Sequence, residues 1–372
     1  MQNTVHDLYS MTGDEMADYI VSLGEPRFRA KQIYAWLPSG TPIGEMTNIP
    51  AALRARLVAD TLDTLPRVRK KLVSKIDGTV KLLFSLYDGA CVESVFMRYK
   101  HGNTLCISSQ VGCRMGCRFC ASTIGGKERD LLPSELLGQI IAAQRETGER
   151  VSNIVMMGIG EPLDNYDNVV KFLRLVNDPL GLNIGYRHIS LSTCGVVPGI
   201  YKLAEENFPI TLSISLHAAT DEKRSSIMPV NNKWHISELL GACAEYYKTT
   251  GRRISFEYTL IHGKNDTPDD ARELADLLNG ALRPVGAPIH VNLIRVNEVD
   301  ETGFRAGSTE SANAFAALLT KMGITATVRR RLGADVNAAC GQLRRADSTG
   351  ARPTAKPRAT KQENTTPEET HD

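Results

Sequence analysis

From about residue 104 the chain repeats one pattern: a short β-rich run, then a longer amphipathic segment. The runs are "TLCIS", "NIVMMG", "HISLST", "TLSISL", "RISFEYTLI" and "HVNLIRV". Between them lie segments such as "PSELLGQIIAAQRETG", "NYDNVVKFLRLVND", "ISELLGACAEYYKTTG" and "TPDDARELADLLNGAL", with apolar residues at helical spacing. Strands alternating with helices make β-α-β units, and these build a parallel sheet. Six alternations are too few for an eight-fold barrel. The expected fold is therefore α/β, an open or partial (β/α)6 barrel, with one more strand at "TATVRRR". Chemistry in such folds collects at the C-terminal ends of the strands.

The N-terminal part reads differently. Thr12 followed by Glu15 is a capping-box pattern opening "TGDEMADYIVSLG", with Gly24 as its stop. "FRAKQIYAWL" keeps helical spacing. "KLVSKIDGTVKLLFSLYDGACVESVFMRY" reads as strands turned at Asp77-Gly78 and Asp88-Gly89. The expected division is an accessory unit over 1–98 (helices, then a β-hairpin), a barrel over 99–345 and a disordered tail over 346–372. The tail has much Pro, Thr and charge and no large apolar residue.

No apolar run approaches membrane-span length, and "MQNTVHDLYSMTGDE" has no signal-peptide pattern. A cytoplasmic location without membrane attachment is expected, with the eight cysteines reduced. Net charge is only +2, so composition alone does not show a nucleic-acid partner. Local basic clusters do occur: Arg67 to Lys71, Arg329 to Arg331, and Arg344 with Arg345. On charge alone they read as solvated basic faces.

The loop after the first barrel strand reads "GCRMGCRFCAST", placing Cys113, Cys117 and Cys120 at C-x3-C-x2-C spacing. A structural zinc needs a fourth protein ligand, which only a distant residue could supply; a catalytic zinc could leave a position open. A [4Fe–4S] cluster on three thiolates leaves one iron open to substrate or cofactor. Of the other cysteines, Cys91, Cys194 and Cys243 read as small buried hydrophobes. Spacing alone gives Cys106 and Cys340 no other role.

The C-x3-C-x2-C loop is the signature of the radical S-adenosylmethionine (SAM) superfamily. The series "TLCISSQVGCRMGCRFCAST", "MMGIGEPLDNYDNV", "HISLSTCG", "SISLHAA", "RRISFEY", "HVNLIRVN" and "AACGQL" resembles the RlmN/Cfr family of radical SAM RNA methyltransferases. The likeness runs from "EPRFRAKQIYAWL" to about residue 345 and is nearer the adenine-C2 enzymes. Two positions depart from it: Arg295 stands where proline is usual, and Asn337 where aspartate is common.

The resemblance implies a radical SAM partial barrel with one [4Fe–4S] cluster on Cys113, Cys117 and Cys120. It implies two SAM molecules per turnover, one methylating Cys340 and one generating the radical that removes hydrogen from that methyl group. Cys106 then forms a transient disulfide with Cys340, and Glu93 accepts a proton. Without the resemblance, Glu93 would read as a strand glutamate facing water. The implied SAM contacts are Gly160, Glu161, Ser192, Ser215, Leu216, His217 and Asn297. Glu161 would take the cationic amino group.

The implied activity is C2 methylation of an adenosine in the peptidyl-transferase centre of 23S rRNA, and of an adenosine next to the tRNA anticodon. A flavodoxin-like electron donor and a monomeric enzyme go with it. The rivals are C8 methylation of the same rRNA adenosine, a zinc-stabilised RNA-binding protein without chemistry, and a glycyl-radical activase.

Overall fold

The computed structural model describes residues 6–297, 303–336 and 343. Cys340, Asn337 and the expected tail lie outside them. The chain opens with helices α1 (Gly13–Ser22), α2 (Phe28–Tyr34) and α3 (Ala51–Asp60). The capping box is present: Glu15 N–H donates to Thr12 Oγ1 at 3.3 Å, and Thr12 N–H donates to Glu15 Oε2 at 2.7 Å. Gly24, just past the helix, takes φ +80°, where a side chain would be strained. The sequence pattern did not single out α3, whose apolar face is narrow, with only Leu53 and Leu57 buried.

Strands β1 (Arg67–Val73), β2 (Val80–Ser85), β3 (Cys91–Tyr99) and β4 (Gly102–Cys106) follow. They pair antiparallel in series, turned at the two Asp-Gly sites. The small β5 (Gln110–Gly112) and β6 (Lys127–Asp130) form a separate two-stranded sheet flanking the cysteine loop. Then α4 (Pro133–Thr147), β7 (Asn153–Met156), α5 (Tyr166–Asn177), β8 (Ile189–Thr193), α6 (Val197–Glu206) and β9 (Thr211–Ser215) alternate. The alternation continues with α7 (Asp221–Ile227), α8 (Ile236–Thr250), β10 (Ile254–Leu260), α9 (Pro268–Leu282), β11 (Ile289–Arg295), α10 (Thr309–Lys321) and β12 (Thr325–Val328).

One ten-stranded sheet runs β1-β2-β3-β4-β7-β8-β9-β10-β11-β12. All pairings from β4 to β12 are parallel. Six β-to-α crossovers and a last strand make the expected partial barrel. The accessory strands extend the same sheet, so the inner face of β3 continues into the barrel. No helix among the described residues is long and apolar enough to cross a membrane.

Asp7 joins the start of the chain to the barrel. Its carboxylate accepts from Ser10 Oγ at 2.6 Å, Ser134 Oγ at 2.6 Å and Thr64 Oγ1 at 3.0 Å. Asp7→Ala leaves three hydroxyls without that acceptor, a loss of about 1–3 kcal/mol. Thermal unfolding of the variant is expected to shift down by several degrees. An unchanged transition would show that this contact carries no docking energy.

Candidate active site

Three cysteines share one cavity because the loop carrying them is tied from several sides. Gly112, before the first cysteine, has φ +76°, and a Cβ there would lie 2.0 Å from Gly126 O. Cys113 N–H donates to that same oxygen at 3.0 Å, and Cys120 N–H to Cys117 O at 3.1 Å. Thr123 Oγ1 donates to Cys117 O and Cys120 O. Arg118 N–H reaches Ile227 O at 2.9 Å, joining the loop to the end of α7.

Asp164, only 8% exposed, draws the loop's flanks together. It pairs with Arg114 and Lys127 (Nζ at 3.0 Å) and accepts from Gln110 Nε2 at 2.9 Å. Burial works against its charge, yet these donors hold its carboxyl below the usual range.

The cavity is about 210 Å³ and is lined by Cys113, Cys117, Cys120, Gly160, Glu161, Ser192, Ser215 and His217, among others. Five of the seven expected SAM contacts therefore stand beside the cysteines. Leu216 is fully buried and lines neither this cavity nor its neighbour. Asn297 lines the neighbouring cavity, of about 420 Å³, with Cys106, Met97, Arg295 and Arg329 to Arg331. Met157 lines both, so the two cavities adjoin.

Glu161 is buried, and its carboxylate already holds two backbone amides. Oε1 accepts from Leu163 N–H at 3.0 Å and Oε2 from Cys194 N–H at 2.7 Å. Burial pushes it upward and these bonds oppose the shift. His217 sits at φ +59°, unusual for a non-glycine residue. Its Nδ1 accepts from Thr259 N–H at 2.9 Å, which leaves Nε2 as the protonated nitrogen of the neutral ring. Burial first, and then Arg224, push its pKa down to about 3. It is thus a neutral hydrogen-bonding group across the physiological range.

Glu93 does not face water. It is buried on β3, with Oε2 3.0 Å from Lys81 Nζ, and the two side chains are 2% and 0% exposed. Along the same face of β3 lies Val95, which pairs with Cys106 of β4. Cys106 is 4% exposed and packs with Val95 and Met97. Cys194 and Cys243 are buried as expected, but Cys91 is only half-buried. Cys194 is also no bystander, since it lines the cysteine cavity.

Sequence reasoning did not single out Lys81, Gln110, Asp164, Arg224 or Glu257. Lys81 had a signal: one cation and one acid, Glu93, in neighbouring apolar strands joined by an Asp-Gly turn. Glu257 looks like an alternating strand residue. It lies against Ser215 and Asn292 in register, and Asn292 Nδ2 donates to it at 2.7 Å.

Comparison with known proteins adds to this geometry. A family model described as "Radical SAM superfamily" matches residues 107–278. Another, "Ribosomal RNA large subunit methyltransferase N-terminal domain", matches residues 6–61. A protein of Alkaliphilus oremlandii named "Probable dual-specificity RNA methyltransferase RlmN" is 53% identical over 340 residues, covering 91% of this chain and 97% of its own. The chain belongs to the RlmN family of radical SAM RNA methyltransferases. A protein of the same name from Clostridium acetobutylicum is 52% identical over 332 residues, covering 89% and 94% of the two chains. The crystal structure of a radical SAM methyltransferase from Sphaerobacter thermophilus superposes with a TM-score of 0.85 at 42% identity, covering 90% of this chain and 98% of that one. A zinc-stabilised RNA-binding module without chemistry is thereby set aside.

An RlmN-family protein uses SAM and a [4Fe–4S] cluster, and the cavity suits both. Burial, then the neighbouring cysteines, push the Cys113 thiol up to about 12 and Cys117 higher still. Such thiols become ligands only where a cationic centre offsets their charge. Among the described residues no three His, Cys, Asp or Glu side chains converge as ligands of a single ion. The three thiols line one cavity. Ser122 Oγ in the same lining is buried with no protein partner, which leaves a polar group for a ligand.

His217 yields a pH prediction. Its folded pKa lies below the ordinary value of about 6.5, so the folded state takes up this proton less readily than the unfolded chain. Its effect is absent above about pH 6.5 and destabilises progressively as pH falls toward 3. Asparagine tolerates the same backbone angle. Denaturation of His217→Asn should therefore show a shallower loss of stability than wild type between about pH 6.5 and 4. Equal slopes would mean that the ring is not held neutral.

Proposed function

We propose that this enzyme methylates C2 of an adenosine in the peptidyl-transferase centre of 23S rRNA and of an adenosine beside the tRNA anticodon, through a methyl-cysteine intermediate. The observation that carries this reading is the pair of adjoining cavities. One is lined by Cys113, Cys117 and Cys120; the other is lined by Cys106 together with Arg295 and Arg329 to Arg331.

The C2 carbon of adenine lies between two ring nitrogens and is electron-poor, so it is a poor nucleophile toward a methyl donor. When bound, the cluster and two SAM molecules per turnover supply methyl transfer and one-electron chemistry. The chain's own residues do the rest. Gly160, Glu161, Ser192, Ser215 and His217 hold SAM, with the backbone of Leu216 between them and Asn297 reaching in from the adjoining cavity. Glu161 keeps a lone pair on each oxygen for the cationic amino group, although both oxygens already accept an amide. Cys340 carries the carbon covalently to the base. Glu93, held by Lys81, accepts the proton leaving C2. The Cys106 thiolate attacks the Cys340 sulfur, so the S–S bond forms as the C–S bond breaks; the departing carbon takes up a proton and leaves with the RNA as a methyl group, and an external dithiol reduces the disulfide.

The accessory unit, residues 1–98, and the outer arginines take the RNA backbone, with the target base splayed out toward the barrel. The protein works as a cytoplasmic monomer, served by a low-potential donor such as flavodoxin.

The deciding experiment is an anaerobic reaction of cluster-reconstituted protein with SAM, reductant and protein-free 23S rRNA or tRNA, followed by mass spectrometry of the nucleosides. C2-methyladenosine is expected; C8-methyladenosine would overturn the regiochemistry. In the same assay Cys106→Ala should leave RNA joined to Cys340, seen as a denaturation-resistant protein–RNA band. If RNA is released normally, Cys106 has no part in resolution.

A further inference from the structure

Arg224, on the short helix α7, is 0% exposed. Among the described residues its hydrogen-bonding partners are all neutral. Nε donates to Leu216 O at 3.1 Å, and Nη2 to Cys194 O at 2.6 Å and Ser215 O at 3.4 Å. Nη1 donates to Asn231 Oδ1 at 2.9 Å. The acid connected to it is Asp221, reached only through Asn231, whose Nδ2 donates to Asp221 Oδ1 at 2.9 Å. Asp221 is half-exposed and offsets the Arg224 charge only in part.

A guanidinium stays charged, and burying one among dipoles alone is costly. The carbonyls of Cys194, Ser215 and Leu216 need donors, which a neutral amide could supply; they do not need a charge. The guanidinium stands behind the wall of the cysteine cavity, bonded to the Cys194 and Ser215 carbonyls of that wall. Cys194 lines that cavity, and Cys117 packs with Cys194, Ile227 and Met228 beside the end of α7. Glu161 and Glu257 share the cavity, but burial pushes both toward their neutral forms.

We propose that Arg224 is the built-in counter-charge of the iron–sulfur cluster and raises its reduction potential. The proposal rests on the assignment of a cluster to Cys113, Cys117 and Cys120. Reduction takes one electron from a low-potential one-electron donor, which is oxidised as the cluster is reduced, with no bond or proton moving. The added negative charge falls within the field of a cation that water does not screen. Net charge and burial are among the factors that set such potentials.

The test is a redox titration of the reconstituted full-length protein, followed by electron paramagnetic resonance of the reduced cluster. Arg224→Gln, which keeps a donor but no charge, should shift the midpoint to a more negative potential. Arg224→Lys should stay near wild type. Asp221→Asn, which removes the opposing charge, should shift it upward, whereas Asp14→Asn, on α1 and 95% exposed, should not. A fully loaded Arg224→Gln protein with the wild-type midpoint would overturn the proposal, leaving Arg224 a strap for the ends of β8 and β9. Should Arg224→Gln take up no iron, an unchanged midpoint in Asp221→Asn would overturn it instead. Wild-type protein without a cluster signal would overturn the cluster assignment first, and this proposal with it.

Discussion

The segments leaving β4 and β7 run so close together that the one leaving β7 tolerates no side chain at two points of the crossing. A Cβ on Gly158 would lie 2.6 Å from Ile107 O, and one on Gly160 would lie 2.6 Å from the Gln110 Cβ. With that space removed, backbone meets backbone. Gly158 N–H donates to Ile107 O at 3.0 Å, and Ile159 O accepts from Ser109 and Gln110 at 2.8 and 3.1 Å. Ser108 Oγ then accepts from Ile159 N–H, and Gln110 Oε1 from Glu161 N–H. These bonds set the depth at which the cysteine loop begins and bring Glu161 against it. Gly160 thus has a packing reason to be glycine, independent of any ligand that approaches its backbone.

The inner face of the sheet is polar where most cores are not. Ser190 Oγ meets Ser213 Oγ at 3.0 Å, Ser255 Oγ meets His290 Nδ1 at 2.9 Å, and Asn292 donates to Glu257. The Lys81–Glu93 pair carries this face into the accessory strands. Breaking a buried pair from one side typically costs about 3–5 kcal/mol, while replacing both partners by apolar groups is often neutral. Stability alone therefore does not explain two opposed charges there, whereas the proton acceptance proposed for Glu93 would give them a reason.

The sequence announced the barrel clearly, because strand and helix periods alternate at nearly constant length and every expected barrel strand is present. The capping box at Thr12 and the Asp-Gly turns were equally legible, since each is a local rule. β5 and β6 were not: Lys127–Asp130 is a four-residue charged strand with no alternation to detect. The C-x3-C-x2-C spacing marked the site, but its supports come from distant segments. Asp164 meets Gln110 and Lys127 across 54 and 37 residues, and Arg224 reaches Cys194 across 30. Such partners belong to topology. The position of Asn297 is a further case: its place in the series suggested the cysteine cavity, and it lines the adjoining one beside Cys106.

The positive charges divide into two kinds by their surroundings. Arg329 to Arg331 follow β12, at the C-terminal edge of the sheet, and line an open cavity where water and salt reach them. Charges of that kind attract a polyanion at range and weaken steeply with ionic strength. Arg224 is sealed behind the ends of β8 and β9, where mobile ions cannot follow, so its field is felt in full but only locally. RNA capture can then vary with salt while the electrostatics at the cysteines stay fixed. The strand ends separate the two environments, with Met157 as a shared wall, so the surface proposed to gather RNA need not be the one proposed to tune electron transfer.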